Sequence, residues 1–362
     1  MTGYPGRHSF KLFDVESVLR RAAKKVARYR FHREHGAQAG RVLEFLERRY
    51  GKADPTNLRL ADAYAREVFG DALYAPWLRV YTAFSGTFKE GWIPDNFYGS
   101  VVVPSMKGLY GKISGLKPLT SLIFDGGAFP DVAYFTNGLF LTRQNVVIPE
   151  CEIGEIAFRQ SEKIVFKLDG SQQGKGVFVF DDKTFDIETI KSLGNGVIQR
   201  FIDQHDLFNH FASKSVATLR LTTVVDDLGA ISMRACFLRL GRAEDTHVQT
   251  DREICVPVSL STGELCREGY LSNWGAVEEH PDSGARFSGV KIPAFSKCVD
   301  TVLELHKKIP FVRCVGWDVT VDVDGNVQVM EWNGEHNDVK FSEATQGPCF
   351  SDLKWERLKL LP

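Results

Sequence analysis

The residues with the densest chemistry lie between Cys314 and Asn333, CVGWDVTVDVDGNVQVMEWN. Apolar and polar residues alternate on both sides of Asp324-Gly325, a dipeptide that favours a two-residue type I′ turn, so the stretch reads as a β-hairpin. With those residues at the centre of the turn, Val323 faces Asn326, Val321 faces Gln328 and Asp318 falls opposite Glu331. Asn333 lies two residues beyond Glu331 and points from the same face. Carboxylates directly across a strand pair repel each other. A bound divalent cation reverses that sign, and Asn333 adds a third oxygen, a set that suits Mg²⁺ or Mn²⁺ rather than zinc. The bland reading is an exposed hairpin with scattered acids, and a three-residue turn would shift the register and spoil the pairing.

Other segments offer groups that could serve the same site. Ile164 to Leu168 and Val177 to Phe180 read as strands around the loop DGSQQGKG, whose small residues let backbone N–H groups approach phosphate oxygens closely. Lys167, just before that loop, can add a point charge. The loop is not a P-loop: it is one residue short, Gly176 stands where Ser or Thr is required, and a strand follows in place of a helix. Val197 to Ile202 is a short apolar strand that could act as a hinge. In Ser215 to Val225, Arg220 shares a face with Thr218 and Thr222, and an arginine there needs a partner: a phosphate, or the hairpin carboxylates. Arg234 and Arg239 fall on opposite faces of the next strand, Ile231 to Gly241, so at most one shares a cleft with Arg220.

Composition bounds the rest. The chain has 362 residues, 43% hydrophobic and 25% charged, with a formal net charge of −1. That length supports two or three lobes, and that balance carries no global field for nucleic acid. No apolar run approaches a membrane span, and the first residues lack the apolar core of a signal peptide. Seven scattered cysteines without a CxxC pair point to a reducing cytosol, so the expected location is cytoplasmic. Helical spacing predicts helices over Val15 to Tyr50, Leu58 to Phe69, Leu73 to Thr82, Phe185 to Leu193 and Ile292 to Lys308. The first carries a basic stretch, Arg20 to Arg33, read as a solvated face in preference to a phosphate- or membrane-facing one. Gly241 to Gly289 reads as mostly loops with one short strand, a place for substrate contacts. His336 reads as a hydrogen-bonded loop residue.

A strand lysine before a glycine-rich loop, a hinge strand, a strand arginine, then a hairpin with Asp and Glu-x-Asn resembles the ATP-grasp superfamily. Within it the chain is most similar to the sugar-transfer-associated, α-L-glutamate-ligase-like family, over roughly Lys112 to Pro348. SVATLRLTT and GWDVTVDVDGNVQVMEWN are the most specific parts. The resemblance implies an α+β fold in which two lobes clamp ATP, at about residues 111–203 and 204–362, behind a mostly helical region at 1–110. It implies that Lys117 and Lys167 are nucleotide-binding lysines and that Gly174 and Gly176 belong to the phosphate-covering loop. Gln199, Arg200, Phe201 and Ile202 would border the adenine, with His205 or Asp206 near the ribose. Asp318, Glu331 and Asn333 match Mg²⁺ (or Mn²⁺) ligands, and Arg220 a residue aimed at phosphates or an acyl phosphate. Two places depart from the family: Arg200 stands where many relatives have an acid, and HVQTDREICV lacks an expected Asp-Asn pair.

The reaction so implied is ligation of small-molecule carboxylate and amine substrates at the expense of ATP, with Arg220 and Lys167 as the catalytic cations. A sugar acid or an amino acid in polysaccharide or natural-product synthesis is the expected substrate class. A small-molecule kinase and a non-catalytic nucleotide-binding protein are the alternatives. No nucleic-acid partner and no membrane insertion are expected. The N-terminal region is left to cap the substrate side of the cleft or to form a homo-oligomer contact.

Overall fold

A computed structural model describes residues 11–124, 127–170, 176–242, 245, 247–249 and 252–359, without the side chains of 11–16. Six strands form a first sheet: β1 (Asp131–Thr136), β2 (Leu139–Thr142), β3 (Val147–Ile148), β4 (Lys163–Leu168), β5 (Val177–Asp181) and β6 (Gly196–Arg200). Their order is β3-β2-β1-β6-β4-β5, every pair antiparallel. Period-two alternation sends Ile164, Phe166, Ile198 and Phe135 to one face, where they pack on helices Glu150–Phe158 and Ile187–Leu193. Val165, Lys167, Val177, Val179 and Gln199 are left on the other face, against a cavity.

The second sheet holds β7 (Thr218–Val225), β8 (Ile231–Leu240), β9 (Ile254–Pro257), β10 (Gly269–Leu271), β11 (Ala276–Val277), β12 (Cys314–Val321) and β13 (Val327–Asn333). Its order is β11-β10-β9-β8-β7-β12-β13. Leu219, Leu221, Leu238, Leu240, Trp317 and Val319 bury one face under helix Phe295–His306. At roughly 1.5–3 kcal/mol per large apolar side chain, this layer dominates the stability of the sheet. The opposite face carries Thr218, Arg220, Arg239, Cys255 and Asp318 toward the same cavity as the first sheet.

The N-terminal helices, Lys11–Tyr50, Pro55–Glu67 and Ala75–Ser85, share a core with the second sheet. Trp77, Tyr81, Trp92 and Tyr98 join Val224, Ala235, Cys314, Phe350 and Trp355 in one buried cluster. Asp54 caps the second of these helices, accepting the Thr56 N–H at 2.8 Å, with Pro55 at its first position. No helix among the described residues is long and apolar enough to cross a membrane.

The hairpin departs from the sequence-based expectation at its turn. The loop has three residues, not two. Asp322 and Asn326 close it, with the Asp322 N–H donating to the Asn326 carbonyl at 2.9 Å, and Gly325 sits at φ 76°. The Asp322 carboxylate accepts the N–H groups of Asp324 and Asn326 at 3.1 and 2.7 Å, which stabilises the turn. Val321 therefore pairs with Val327, not Gln328, and Val323 lies within the loop, not opposite Asn326. A one-residue bulge at Met330 then restores the offset, and beyond it Asp318 faces Glu331 and Gly316 faces Asn333. Two displacements of one residue cancel, so the expected carboxylate pair forms by a different route.

Candidate functional site

The cavity between the sheets has a volume of about 800 Å³. Along its floor Arg220, Asp318 and Glu331 stand in one row across β7, β12 and β13. Arg220 grips Asp318 with two bonds, Nε to Oδ1 at 2.6 Å and Nη2 to Oδ2 at 3.0 Å. Of the two partners left open for Arg220 by its sequence, the structure shows the hairpin carboxylate. Arg239 Nη1 lies 3.8 Å from Asp318 Oδ2 while its Nε donates to Glu253 at 2.6 Å. Arg234, five residues earlier, leaves by the opposite face and pairs with Asp352 at 2.7 Å. Burial pushes the Asp318 carboxyl up, but Arg220 and then Arg239 outweigh it and hold its pKa below the ordinary value. Gly316, beside this row, has no room for a side chain: a Cβ would lie 2.9 Å from Asn337 Cβ and 3.4 Å from Arg220 Cδ.

Lys117 reaches Glu331 Oε1 at 3.1 Å with a side chain only 9% exposed. Its backbone N–H donates to Asp169 at 3.2 Å, tying the turn at 117–119 to the end of β4. Lys167 lines the cavity nearby, and no hydrogen bond or ion pair holds it among the described residues. Burial lowers its pKa, with Glu331 opposing and Lys117 reinforcing that fall. Asn333 donates from Nδ2 to the Gly316 carbonyl at 3.3 Å and to Asp318 Oδ2 at 3.4 Å, which leaves its own oxygen for another partner. Asp318, Glu331 and Asn333 are thus brought together as a two-carboxylate, one-amide set whose oxygen donors fit Mg²⁺ or Mn²⁺. Both carboxylates hold cations, Arg220 and Lys117, and a metal ion would compete with those pairs. No group of three His, Cys, Asp or Glu poised for a metal occurs among the described residues.

Gln199, Arg200, Phe201 and Ile202 all line the cavity, beside apolar Val165, Val179 and Met330. Gln199 is fixed by Asp131, its Nε2 donating to Oδ1 at 2.7 Å, and Arg200 by Gln328 at 2.7 Å. His205 and Asp206 are not among the cavity-lining residues. The His205 ring accepts the Leu207 N–H at 3.2 Å and caps the short turn at 206–209. Gly174 lies outside the described residues. Gly176, at φ 78°, closes the strand pair by accepting the Leu168 N–H at 3.0 Å.

The far end of the cavity uses residues that sequence reasoning left without a role. Phe31 and His35 come from the first helix and Asp95 from the short helical turn Asp95–Phe97; His336, Asp338 and Lys340 follow β13; Glu253 precedes β9. His336, read as a loop residue, sits 3.4 Å from Asp95 Oδ1 through Nε2. Only the polar run after Glu-x-Asn hinted at this end.

The family model for sugar-transfer associated ATP-grasp proteins matches residues 188–353, which include Arg220 and the whole hairpin. No curated protein sequence matches the chain. Solved structures similar to it include N5-carboxyaminoimidazole ribonucleotide synthetase from Thermotoga maritima, at 12% identity and TM-score 0.38, over 72% of this chain and 56% of that one. Biotin carboxylase from Campylobacter jejuni shows 10% identity and TM-score 0.41 over 90% and 69% of the two chains. The ATP-grasp ligase PsnB shows 12% identity and TM-score 0.36 over 79% and 69%. The chain spans about half the length of the synthetase structures, 56% and 52% for the Thermotoga maritima and Staphylococcus aureus enzymes. Its two antiparallel sheets, with a helical region before them, form an α+β architecture, and the residues matched by the family model include the second sheet.

Proposed function

We propose that this chain is an ATP-grasp enzyme, an ATP-dependent ligase that joins a carboxylate to an amine through an acyl phosphate. The observation that carries the reading is the row Arg220–Asp318–Glu331, with Asn333 beside it, facing Lys117 and Lys167 across one cavity. In this reading Gln199, Arg200, Phe201 and Ile202 border the adenine, with Val165, Val179 and Met330 as its apolar contacts. Lys117 and Lys167 meet the phosphates, and the loop that ends at Gly176 covers them. Asp318, Glu331 and Asn333 would hold Mg²⁺ or Mn²⁺, which when bound neutralises phosphate charge.

The chemistry needs no side-chain nucleophile. A substrate carboxylate oxygen bonds to the γ-phosphorus as the bond to the β–γ bridging oxygen breaks, and ADP leaves with that electron pair. An amine lone pair then attacks the acyl carbon, the C–O bond to phosphate breaks, and the nitrogen loses a proton. Arg220 and Lys167 supply fixed positive charge in a site sheltered from water, where it acts more strongly than in bulk solvent. Holding the two reactants together supplies much of the remaining acceleration. A sugar acid or an amino acid, in polysaccharide or natural-product synthesis, is the substrate class we favour.

Hydroxylamine trapping tests this. The purified chain, given Mg·ATP and a panel of sugar acids and amino acids, should release ADP and form a hydroxamate with at least one of them. Formation of a phosphate ester without hydroxamate would instead identify a kinase.

A further inference from the structure

Ligation requires a second substrate, and the far end of the cavity has the chemistry to receive it. We propose that this end binds the ammonium group of the amine substrate, with Asp95 as its principal anionic contact; the assignment as substrate site rests on the ligase reading above. Asp95 has no exposed surface and lines the cavity. Its Oδ1 accepts the Val339 N–H at 3.2 Å, whereas its Oδ2 is buried without a hydrogen bond. The two imidazoles and the ammonium beside it do not supply one, and the nearby Tyr81 hydroxyl is likewise buried without a hydrogen bond. His35 Nδ1 lies 3.6 Å from Oδ2 but accepts from the Trp77 indole N–H at 3.1 Å. Nδ1 of His336 accepts the Asp338 N–H at 3.3 Å. Indole and backbone N–H groups only donate, so each neutral imidazole carries its proton on Nε2, and that of His336 meets the Asp95 backbone carbonyl at 3.5 Å, with Oδ1 3.4 Å away. Lys340 Nζ stands 4.0 Å from Oδ2 and is held at 2.5 Å by Asp338.

A second carboxylate oxygen, Asp338 Oδ1, is also buried without a partner and belongs to another cavity-lining residue. The site therefore presents acceptors in need of donors. Aromatic rings complete it: Phe31, Tyr270, Trp274 and Phe341 line this end, and aromatic faces beside carboxylates attract organic cations. A carboxylate ligand would meet Asp95, Asp338 and Glu253, with Lys340 and Arg239 already engaged by two of these acids.

Thermal-shift titration with benzylamine, a cation at neutral pH, and benzyl alcohol, its neutral counterpart, tests the assignment without requiring turnover. Benzylamine should stabilise the wild-type chain at millimolar concentration and benzyl alcohol should not. Asp95→Asn should weaken benzylamine binding at least tenfold. Asp338→Asn, at a half-exposed side chain, should weaken it in the same direction and carries the test if the buried variant does not fold. Equal binding of amine and alcohol, no amine binding, or unchanged affinity in folded variants would overturn the proposal. Hydroxamate formation by the wild-type chain separates it from the ligase reading, because the trap reports the acyl phosphate and not the ammonium site. Amine binding without any hydroxamate would sink the ligase and leave the ammonium site standing.

An independent observation concerns the first helix. Residues 18–30 are exposed throughout. Val18, Leu19, Ala22, Val26 and Tyr29 form one stripe, with Val18, Leu19, Val26 and Tyr29 each more than half exposed. Arg20, Arg21, Lys24 and Arg28 occupy the opposite side, with Lys25 at the edge of the stripe, and residues 18–33 contain seven Lys or Arg residues and no acid. We infer that this segment docks in the plane of an anionic lipid surface, apolar stripe inward. Pairing with a second copy would bring like charges together. Sedimentation with phosphatidylcholine vesicles, with and without phosphatidylglycerol, should show binding only to the anionic ones. Arg21→Glu/Lys25→Glu and Leu19→Gln/Val26→Gln should each reduce it at least tenfold without changing the ATP-dependent thermal shift. Absence of vesicle binding, equal binding to both vesicles, self-association through the helix, or binding to DNA alone would overturn it.

Discussion

Replacing Asp318 with Asn removes the anion that two buried guanidinium groups face. Arg220 exchanges two bonds to an anion, at 2.6 and 3.0 Å, for at most one bond to a neutral amide oxygen, keeping its Nη1 bond to the Asn337 carbonyl at 3.3 Å, and Arg239 loses its second acid at 3.8 Å. Side-chain exposures of 10–12% leave little water to replace them. Breaking one partner of such a pair costs roughly 3–5 kcal/mol, because a charge stays buried and uncompensated. Removing both is far cheaper, so Asp318→Asn/Arg220→Met should be less damaging than the sum of its single changes by about 2 kcal/mol or more. Arg239 keeps Glu253 in every variant, which limits its share. Urea unfolding followed by tryptophan fluorescence reads this directly, since Trp317 and Trp332 are buried in the hairpin. The linkage has a sign as well. The folded pKa of Asp318 is depressed, so its contribution is present above the unfolded carboxylate range and is lost as pH falls through the folded value. A cost below about 1 kcal/mol for Asp318→Asn, or additivity within ~0.5 kcal/mol, would refute this account of the row.

Further outcomes follow from the same geometry. His306 is fully buried between Thr223 and the Val312 carbonyl, and burial lowers its pKa to about 4. The unfolded chain then binds the extra proton, so stability should fall by ~3 kcal/mol as pH drops from above 6.5 to below 4, a loss absent from His306→Gln in denaturant titrations. Lys167→Met should raise the melting temperature of the ligand-free chain, since burial disfavours the Lys167 charge, and should abolish the shift produced by Mg·ATP. Gly316→Ala should cost about 1–3 kcal/mol and weaken ATP binding, because its Cβ enters the space of Asn337 and Arg220. Gly325→Ala should cost about 1–2 kcal/mol in urea unfolding, through its left-handed backbone, and leave ATP binding nearly intact.

Strand periodicity is why part of the site could be read from residues alone. Arg220 and Asp318 occupy the polar face of strands whose alternate positions are Leu219, Leu221, Trp317 and Val319, and burial of that apolar face dictates where the charges point. The Asp318–Glu331 pairing was legible too, but through a two-residue turn that the chain does not make; turn type and bulge depend on local bonds of Asp322 that a dipeptide preference does not reveal. Strands β2 and β3 escaped the periodicity because they span only four and two residues, and β1 because it buries Ala133, Tyr134 and Phe135 in succession and so does not alternate. His35, Asp95, Glu253 and Lys340 come from four distant segments, and only packing of the N-terminal helices on the second sheet brings them to one cavity. No local pattern encodes that meeting. His205 is the converse case: a polar residue in a suggestive place that the fold uses as a cap.

The central claim, a nucleotide site that depends on metal and is built on the hairpin, is tested most directly by thermal-shift titration with ATP, with and without Mg²⁺, on the wild-type chain and Glu331→Gln. Ligand binding to the folded state stabilises it by mass action, about 2.7 kcal/mol at a hundredfold excess over Kd. The melting temperature should rise with ATP only when Mg²⁺ is present, and the rise should shrink in the variant. No shift at millimolar Mg·ATP in the folded wild-type chain, or an equal shift in Glu331→Gln, would contradict it.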